Sequence, residues 1–362
     1  MTSREIDPIY QELAAKLRIS NSRVLPRIFQ RLADPEQARI LLEMPASSEE
    51  VAAKLGLSKE RVDRDIRELF EKGVLMPGKR GWNMPPNWGW LHDTIGASDI
   101  RYEDDELYDL GAAMRRESLE RMLQRLEKEQ AQGQPRLRQV MRIVPKWRSI
   151  QGIPGVLPCE DVLQILQNLS PIVVVRCPCK RMERRRGCWD SVPLESCIHG
   201  GRPAQYSLDR LAGREITLDE CLALMDEMDK HLIVNMVAPE SKMPEGVCNC
   251  HTCCCGVFNI ADHTQPRYGL LPYAKSRFVA KVDPGRCTTC RICVDRRCPV
   301  GALHMKYFPE YGEKRAVVDP EACIGCGLCV LTCPSGAHEM RLIRPPDHIP
   351  EQSQVGGYWP EV

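Results

Sequence analysis

The first third of the chain alternates between apolar and polar residues with the period of α-helices. The pattern predicts a helix before Pro45, a second helix that opens at Ser47, and a third over residues 57–73. Ser58 is expected to cap the start of the third helix, because a serine hydroxyl can accept a hydrogen bond from the unpaired backbone N–H groups of the first helical turn. Gly73 is expected to end it, because glycine tolerates the left-handed conformation.

The sequence that follows the third helix, VLMPGKRGWNM, predicts a strand, a glycine-containing turn and a return strand. Helices followed by such a hairpin resemble a winged helix-turn-helix domain, over roughly residues 20–95. Residues 1–100 are therefore expected to form a winged-helix-like domain. Residues 104–131 predict one long, charged amphipathic helix, the main part of a helical linker over residues 101–150.

The charges on the third helix argue against DNA as its partner. It carries equal numbers of basic residues (Lys59, Arg61, Arg64, Arg67 and Lys72) and acidic residues (Glu60, Asp63, Asp65, Glu68 and Glu71). A helix that faces phosphates normally has a basic excess. Lys79 and Arg80 on the predicted wing are the favourable exceptions. Docking to another protein is the favoured role.

Length, charge and hydropathy exclude several classes of protein. A chain of 362 residues favours two or three domains, and its net charge of +1 gives no general attraction to nucleic acid or anionic membranes. No apolar run is long enough to span a bilayer. The N-terminal sequence MTSREIDPIYQELAAKL lacks the apolar stretch of a signal peptide, so we expect a cytoplasmic protein.

The unusual feature of the composition is its 19 cysteines, which all lie between Cys159 and Cys333. An odd number of closely spaced cysteines without a secretion signal favours metal binding over disulfides. The sequence therefore predicts a metal-free N-terminal part and a metal-rich C-terminal part.

Two cysteine motifs near the C-terminus carry the strongest chemical signal. Residues 287–299 read CTTCRICVDRRCP, and residues 323–334 read CIGCGLCVLTCP. The second is the C-x2-C-x2-C-x3-C-P run of bacterial ferredoxins. The repeated flanks VDPGRC and VDPEAC indicate an internal duplication. Residues 276–345 thus resemble a bacterial ferredoxin-like domain with two [4Fe–4S] clusters.

The resemblance implies that each motif gives its fourth cysteine to the other cluster. One cluster would bind Cys287, Cys290, Cys293 and Cys333, and the other would bind Cys298, Cys323, Cys326 and Cys329. The first motif departs from the family pattern, because four residues, not three, separate Cys293 from Cys298. A zinc ribbon is the alternative, although two four-cysteine runs with trailing prolines argue against it.

A second group of cysteines lies in the middle of the chain, over residues 151–275. Its nine clustered members are Cys177, Cys179, Cys188, Cys197, Cys248, Cys250, Cys253, Cys254 and Cys255. Cysteines that serve only for packing have no reason to cluster, so at least one further iron–sulfur cluster is expected here. A structural zinc site is the alternative. Cys254-Cys255-Gly256 also resembles the CCG element of heterodisulfide-reductase-like non-cubane clusters.

Other residues of this middle part have less specific interpretations. Cys221 is expected in a core, and His199 and His251 are expected at the surface, although either could replace a thiolate ligand. A basic run follows Cys179 and comprises Lys180, Arg181, Arg184, Arg185 and Arg186. It would either raise the potential of a nearby cluster or form a docking patch for an acidic partner.

As a whole, the chain resembles a family of ferredoxin-type proteins of anaerobes. These combine a helix-turn-helix-like start, a cysteine-rich segment similar to CPCK and CNCHTCCC, and a two-cluster ferredoxin domain. The expected fold is α+β and multidomain, with a winged-helix-like domain, a cysteine-rich α/β domain and a ferredoxin-like domain. Residues 346–362 are expected to form an extended tail over a neighbouring surface.

Three functions fit these observations. The first is an electron-relay subunit of a cytoplasmic oxidoreductase complex, with a flavoprotein or another redox enzyme as partner and no catalysis of its own. The absence of a GxGxxG nucleotide motif and of a hydrolytic constellation favours this function. The second is a reductase with a substrate-site cluster in the middle domain. The third is an iron–sulfur transcriptional sensor that joins the winged helix to its clusters.

Overall fold

The N-terminal part of the chain is a helical body with one small hairpin. The structure is a computed structural model that describes residues 6–184, 187 and 192–352. The elements of the body are α1 (Pro8–Lys16), α2 (Leu25–Leu32), α3 (Pro35–Leu42), α4 (Ser48–Leu55), α5 (Lys59–Lys72), β1 (Met76–Gly78), β2 (Gly81–Asn83), α6 (Trp88–Gly96) and α7 (Asp105–Ala131). None of the helices within the described ranges is both long and apolar enough to cross a membrane.

The helices and the hairpin predicted in this region are confirmed. The Ser58 side chain accepts from the backbone N–H of Arg61 at the start of α5, and Gly73 ends that helix with a φ of 86°. Val62, Ile66 and Leu69 of α5 are buried in the core of the body. The long helix α7 has nearly the predicted limits. The assignment to the winged-helix class stays a prediction.

The middle part of the chain is built on a seven-stranded sheet in the order β6-β4-β5-β8-β7-β3-β9. All neighbouring strands are antiparallel except β3 and β9. The strands are β3 (Met141–Val144), β4 (Val173–Arg176), β5 (Glu195–His199), β6 (Gly213–Glu215), β7 (Ile233–Val237), β8 (Gly246–His251) and β9 (Tyr273–Ala274). The helices are α8 (Trp147–Ile150), α9 (Val162–Gln167), α10 (Pro178–Met182), α11 (Gly201–Asp209), α12 (Leu218–Asp229) and α13 (Gly256–Tyr268).

The two faces of this sheet have different environments. On one face, side chains such as Val174, Ile198 and Val247 pack against α9 and α12 in an apolar core that also contains Cys221, as expected. On the other face, Val234 and Met236 of β7 pack with α13 and with the C-terminal part of the chain. Alternate residues of a strand point to opposite faces, so this second face also receives Cys197, Cys248 and Cys250.

The C-terminal part contains two strand pairs and the two cysteine loops. Its elements are β10 (Phe278–Val282), β11 (Leu303–Phe308), β12 (Glu313–Val318), α14 (Leu328–Thr332) and β13 (His338–Leu342). Strand β10 pairs with β13, and β11 pairs with β12, both antiparallel. Strand β10 precedes the first cysteine loop and β11 follows it. Strand β12 precedes the second cysteine loop and β13 follows it.

The structure differs from the prediction of a helical linker over residues 101–150. Residues 141–144 form β3, a fully buried strand of the middle sheet. The sequence does not predict this buried strand, because it contains the basic residue Arg142, which is normally exposed. Here Arg142 is buried and donates to the Cys159 carbonyl at 2.7 Å. In the described part of the expected tail, the Pro350 carbonyl accepts from the Ser241 N–H. Residues 353–362 of the tail lie outside the described residues.

The N-terminal body packs directly on the segment that contains Cys177 and Cys179. Buried Arg181 of α10 donates to the carbonyls of Gly96 at 3.0 Å and Ser98 at 2.7 Å. The approach of the two parts is so close that a Cβ atom on Gly96 would lie 2.4 Å from the Pro178 side chain.

Replacement of Gly96 by alanine tests this contact. G96A should lower the free energy of unfolding by about 1–3 kcal/mol, because the methyl group overpacks the junction with Pro178. G89A on the same helix is the matched control, because its Cβ would meet only the Asn87 side chain at 3.3 Å. Denaturant unfolding should show G89A at or above wild-type stability. Equal stability of the two variants would contradict the packing.

Candidate metal centres

The first thiol group lies in the loop before β11 and at the end of α14. Cys293 interacts electrostatically with Cys287, Cys290 and Cys333. Burial, with these neighbouring thiols, raises the pKa of Cys293 to about 11. The four cysteines are those that the family resemblance assigns to one cluster.

The second thiol group adjoins the first. Cys329 interacts electrostatically with Cys326, Cys323 and Cys298, and also with Cys293 of the first group. Burial raises the pKa of Cys326 to about 12. The structure therefore brings together both predicted sets of four thiols and places them side by side.

The duplicated motifs hold their fourth cysteines in the same way. The Ala302 N–H donates to the Cys298 sulfur at 3.1 Å, and the Ala337 N–H donates to the Cys333 sulfur at 3.2 Å. In both cases the donor follows the cysteine by four residues, after the Pro299 or Pro334 turn. Hydrogen bonds to cysteine sulfur favour the negatively charged thiolate and so affect the potential of a bound cluster.

The two cysteine loops share a backbone conformation, although their residues at the positions that determine it are different. The residues before and after the second cysteine have positive φ in both loops: 57° for Thr289 and 63° for Arg291, and 73° for Gly325 and 78° for Gly327. Glycine adopts this conformation without cost, whereas Thr289 and Arg291 do not. The loop thus keeps its shape where the sequence lacks glycine.

The extra residue between Cys293 and Cys298 is accommodated in a helical turn. Residues Cys293–Arg297 form a π-helical turn, whereas the equivalent residues of the second motif form the α-helix α14. A π-turn accommodates one additional residue without displacing its flanks. The departure from the family spacing therefore leaves Cys298 beside the second thiol group.

The two loops differ in exposure. Cys290 of the first loop is exposed, and the neighbouring Ile292 is 36% exposed. The second loop instead packs on the middle domain, where the Lys146 N–H donates to the Cys326 carbonyl at 3.0 Å. A Cβ atom on Gly325 would lie 2.2 Å from the Phe278 carbonyl oxygen. The first loop thus reaches solvent at Cys290, and the second loop faces the interior.

The middle domain contains a closed ring of six thiols, called the thiol ring below. Neighbouring members lie within hydrogen-bonding distance of each other. In order around the ring they are Cys177, Cys179, Cys255, Cys250, Cys248 and Cys197.

Three adjacent strands and two helix starts position the thiol ring. Cys197 of β5 is paired directly with Cys248 of β8, and Cys250 follows on the same face of β8. Cys177 precedes α10, directly after β4, and Cys255 precedes α13. The ring therefore joins segments that lie more than 70 residues apart in the sequence.

Crowding perturbs these thiols strongly. The hydrogen bond with Cys177 raises the pKa of Cys179 to about 12, and the hydrogen bond with Cys179 raises the pKa of Cys255 to about 12; burial adds to both. In contrast, the hydrogen bond with Cys197 lowers the pKa of Cys248. Metal binding requires thiolates, so bound metal would displace the protons that the ring shares.

Two buried cations lie beside the thiol ring. The Lys180 ammonium, on the side of Cys177 and Cys197, donates to the Pro193 carbonyl and the Ser196 hydroxyl, each at 2.7 Å. Arg115 of α7 interacts electrostatically with Cys179 and Cys255 on the other side. Positive charge on both sides stabilises thiolates in the ring.

The thiol ring and the groups beside it supply the kinds of ligand and donor that an iron–sulfur cluster requires. Within residues 6–184, 187 and 192–352, no group of three His, Cys, Asp or Glu side chains is arranged to hold one metal ion. A cluster spreads its thiolates over several irons. Two buried nitrogens beside the ring, Arg115 Nη1 and His251 Nδ1, have no hydrogen-bond partner among the described residues, although Nη1 forms an ion pair with Glu183 at 3.3 Å. Buried polar groups normally have partners, so these atoms fit a group with acceptor sulfurs.

The remaining predicted residues have different positions. Cys254 is buried beside the ring, and its sulfur lies 3.9 Å from the His251 carbonyl oxygen. Cys253 belongs to the same turn, and Cys188 lies outside the described residues. The surface prediction for His199 and His251 is wrong, because both are half-buried. Burial lowers the pKa of His199 to about 4, and its ring nitrogen contacts Ser207.

The prediction of a docking patch is wrong for the start of the basic run. Lys180 is fully buried beside the thiol ring, and Arg181 is 2% exposed and bonded to the N-terminal body. Arg184 donates to the Asp105 carbonyl at 2.8 Å, and Arg185 and Arg186 lie outside the described residues. Sequence reasoning also missed Arg115 and Tyr273, because nothing distinguishes them from other residues of a charged helix and a short strand.

Comparison with known proteins defines the class of the C-terminal part. Residues 286–337 match the family model of the 4Fe-4S dicluster domain. This part of the chain is therefore of the 4Fe-4S ferredoxin type. No solved structure matches the chain significantly.

Relatives match over a limited length. A 58-residue segment, 16% of this chain and 11% of the relative, is 43% identical to an uncharacterized protein of Methanothermobacter thermautotrophicus. A 75-residue segment is 39% identical to an indolepyruvate oxidoreductase subunit of Pyrococcus abyssi, over 20% of this chain and 11% of that subunit. A 67-residue segment is 36% identical to one subunit of an ion-translocating oxidoreductase complex of Methanosarcina acetivorans, over 18% of this chain and 23% of that relative. The chain thus covers less than a quarter of each of these three relatives.

The equivalent positions Gly325 and Thr289 provide a matched test of the two loops. G325A should lose most of the iron bound by the second thiol group, because the new methyl group would clash with the Phe278 backbone. T289A should keep its iron, since residue 289 already carries a Cβ atom in the same conformation. Iron analysis of anaerobically purified protein measures both. Full iron content in G325A would contradict the packing of this loop.

Proposed function

We propose that this protein is an iron–sulfur electron-transfer subunit with three metal centres in line. The first thiol group is the end that exchanges electrons with a partner, the second lies inside, and the thiol ring is the third. The clusters, when bound, supply one-electron chemistry at potentials set by charge, exposure and hydrogen bonds to sulfur. The ligands of the first two centres are the two sets of four cysteines described above.

The observation that carries this proposal is the apolar contact between the second loop and the thiol ring. Ile324, Cys326 and Leu328 of the loop share one buried cluster with Cys255 and Phe258, on one face of the middle sheet. Tyr273 belongs to the same cluster, where it interacts electrostatically with both Cys326 and Cys255 and packs edge-on against Phe258 at 5.5 Å. The second thiol group and the thiol ring thus share one buried apolar cluster.

The exposure of the first loop supports its role as the contact with a partner. Cys290 and Ile292 reach the surface, whereas the second loop is covered by the middle domain. Two of the relatives are named as subunits of oxidoreductases. We therefore expect a flavoprotein or another redox enzyme of an oxidoreductase complex as partner, and we assign no catalysis to this chain.

One observation favours a second function, that of a reductase with a substrate at the middle centre. The thiol ring has six members, which exceeds the four ligands of an ordinary [4Fe–4S] cluster. A substrate that changes the EPR spectrum of the middle centre alone would support this function.

The charges of α5 argue against the third function, a DNA-binding regulator. Lys59 pairs with Glu49 and Asp63, Arg61 with Glu36 and Asp65, Arg67 with Glu71, and Lys72 with Glu68. Because neighbouring carboxylates neutralise these basic side chains, the surface has little net positive charge to attract phosphates. Sequence-specific, redox-dependent DNA binding would overturn the electron-transfer proposal in favour of this function.

Iron stoichiometry tests the proposal of three centres. Anaerobically purified wild-type protein should contain about twelve irons per chain, because each [4Fe–4S] centre contributes about four. A variant with Cys179, Cys250 and Cys255 all replaced by alanine should contain about four fewer, since the thiols that remain in the ring are too few to hold a [4Fe–4S] cluster. C221A is the matched control, because Cys221 is equally buried but lies on the opposite face of the sheet. About eight irons in the wild type, or zinc in the middle domain, would contradict the proposal.

A further inference from the structure

Arg115 brings a buried positive charge from the N-terminal part of the chain to the thiol ring. Its side chain is 9% exposed, and Nη2 donates to the Cys254 carbonyl at 3.0 Å. Nη1 lies 3.3 Å from a carboxylate oxygen of Glu183, which is also buried. This ion pair lacks the geometry of a hydrogen bond, so Nη1 has no hydrogen-bond partner among the described residues.

Two glycines allow close packing near this side chain, Gly111 between α7 and α10 and Gly256 beside the guanidinium itself. A Cβ atom on Gly111, one turn before Arg115 on α7, would lie 2.6 Å from the Met182 sulfur. The missing side chain lets α7 approach α10, which carries Cys179. A Cβ atom on Gly256, which follows Cys255, would already contact Arg115 Nη2 at 3.4 Å. The guanidinium therefore lies in close van der Waals contact with the backbone that holds the ring.

An arginine in this position can perform two tasks at once. Its guanidinium is planar and presents several N–H donors in a fixed arrangement. One donor is used by the Cys254 carbonyl, which fixes the side chain relative to α13. The guanidinium as a whole interacts electrostatically with Cys179 and Cys255, and Nη1 makes only the ion pair with Glu183, so sulfur of the ring would be an acceptor for it.

We propose that Arg115 Nη1 donates a hydrogen bond to sulfur of the centre held by the thiol ring, and thereby raises the reduction potential of that centre. A positive charge and a hydrogen bond both favour the more negative, reduced state. The N-terminal part, which supplies α7, is then a component of the redox site. This inference rests on the proposed third centre.

Redox titration of the full-length protein, followed by EPR, tests the inference. In R115Q the ratio of reduced to oxidised middle centre at a fixed ambient potential should fall on the order of tenfold. R115K should show a smaller fall, because it keeps the charge but loses the planar arrangement of donors. R121Q is the control on the same helix, since Arg121 pairs with Glu117 at 2.7 Å, away from the ring. The two ferredoxin-type centres should titrate unchanged in every variant and serve as internal references.

The outcomes separate this inference from the proposed function. A wild-type protein with about eight irons and two paramagnetic centres would contradict the proposed third centre itself. A wild-type protein with a third centre whose potential is the same in R115Q would overturn the role of Arg115 alone. Should R115Q fail to fold, R115K decides, and a wild-type potential in that variant overturns the inference. An equal shift in R121Q would also overturn it, because the effect would then be general.

Discussion

Thiols that serve as metal ligands must lose their protons, and a protein interior opposes the charge that remains. This constraint organises the middle of the molecule, because the thiol ring is both crowded and buried. Hydrogen bonds between thiols raise the pKa of Cys179 and Cys255 to about 12. The fold responds with buried positive charge, from Lys180 on one side and Arg115 on the other. Such an arrangement is costly in a protein without metal and favourable around a metal–sulfur centre.

The requirement for positive charge also explains why the N-terminal body packs so closely on the cysteine-rich segment. Helix α10 carries Cys179 on one side and Arg181 on the other, and Arg181 is held by two carbonyls of the N-terminal body. Helix α7 approaches the same segment at Gly111 and delivers Arg115. The body is thus attached to the immediate surroundings of the ring, and it also contacts α11, where the Tyr206 hydroxyl donates to the Leu75 carbonyl at 3.0 Å.

The two cysteine loops of the C-terminal part differ in their exposure to solvent. Its two halves derive from one repeated motif, with the same left-handed residues and the same N–H donors to Cys298 and Cys333. One half remains at the surface, and the other is covered by the middle domain. The difference arises at single positions: Gly325 and Gly327 allow close contact with the β10 and α8 regions, whereas Thr289 and Arg291 lie in the loop that faces solvent. A symmetric module thereby acquires an outer and an inner end.

Short-range patterns in the sequence were sufficient to predict individual helices and the cysteine module. Capping residues and helical spacing predicted α5 between Ser58 and Gly73, and cysteine spacing predicted the ferredoxin-type module that the family comparison supports. Contacts between distant segments could not be predicted in this way. The membership of the thiol ring depends on β5 pairing with β8, and a buried arginine concealed β3. Lys180 and Arg181 resembled a surface patch because sequence does not reveal which charges have buried partners.

Anomalous diffraction at the iron absorption edge, from anaerobically grown crystals, locates the metal centres themselves. Three iron sites are expected in one chain. Two should lie at the thiol groups around Cys293 and Cys326, and the third should lie within the ring that includes Cys179 and Cys250. Iron at the two ferredoxin-type sites alone, or a zinc signal at the thiol ring, would rule out the third iron–sulfur centre.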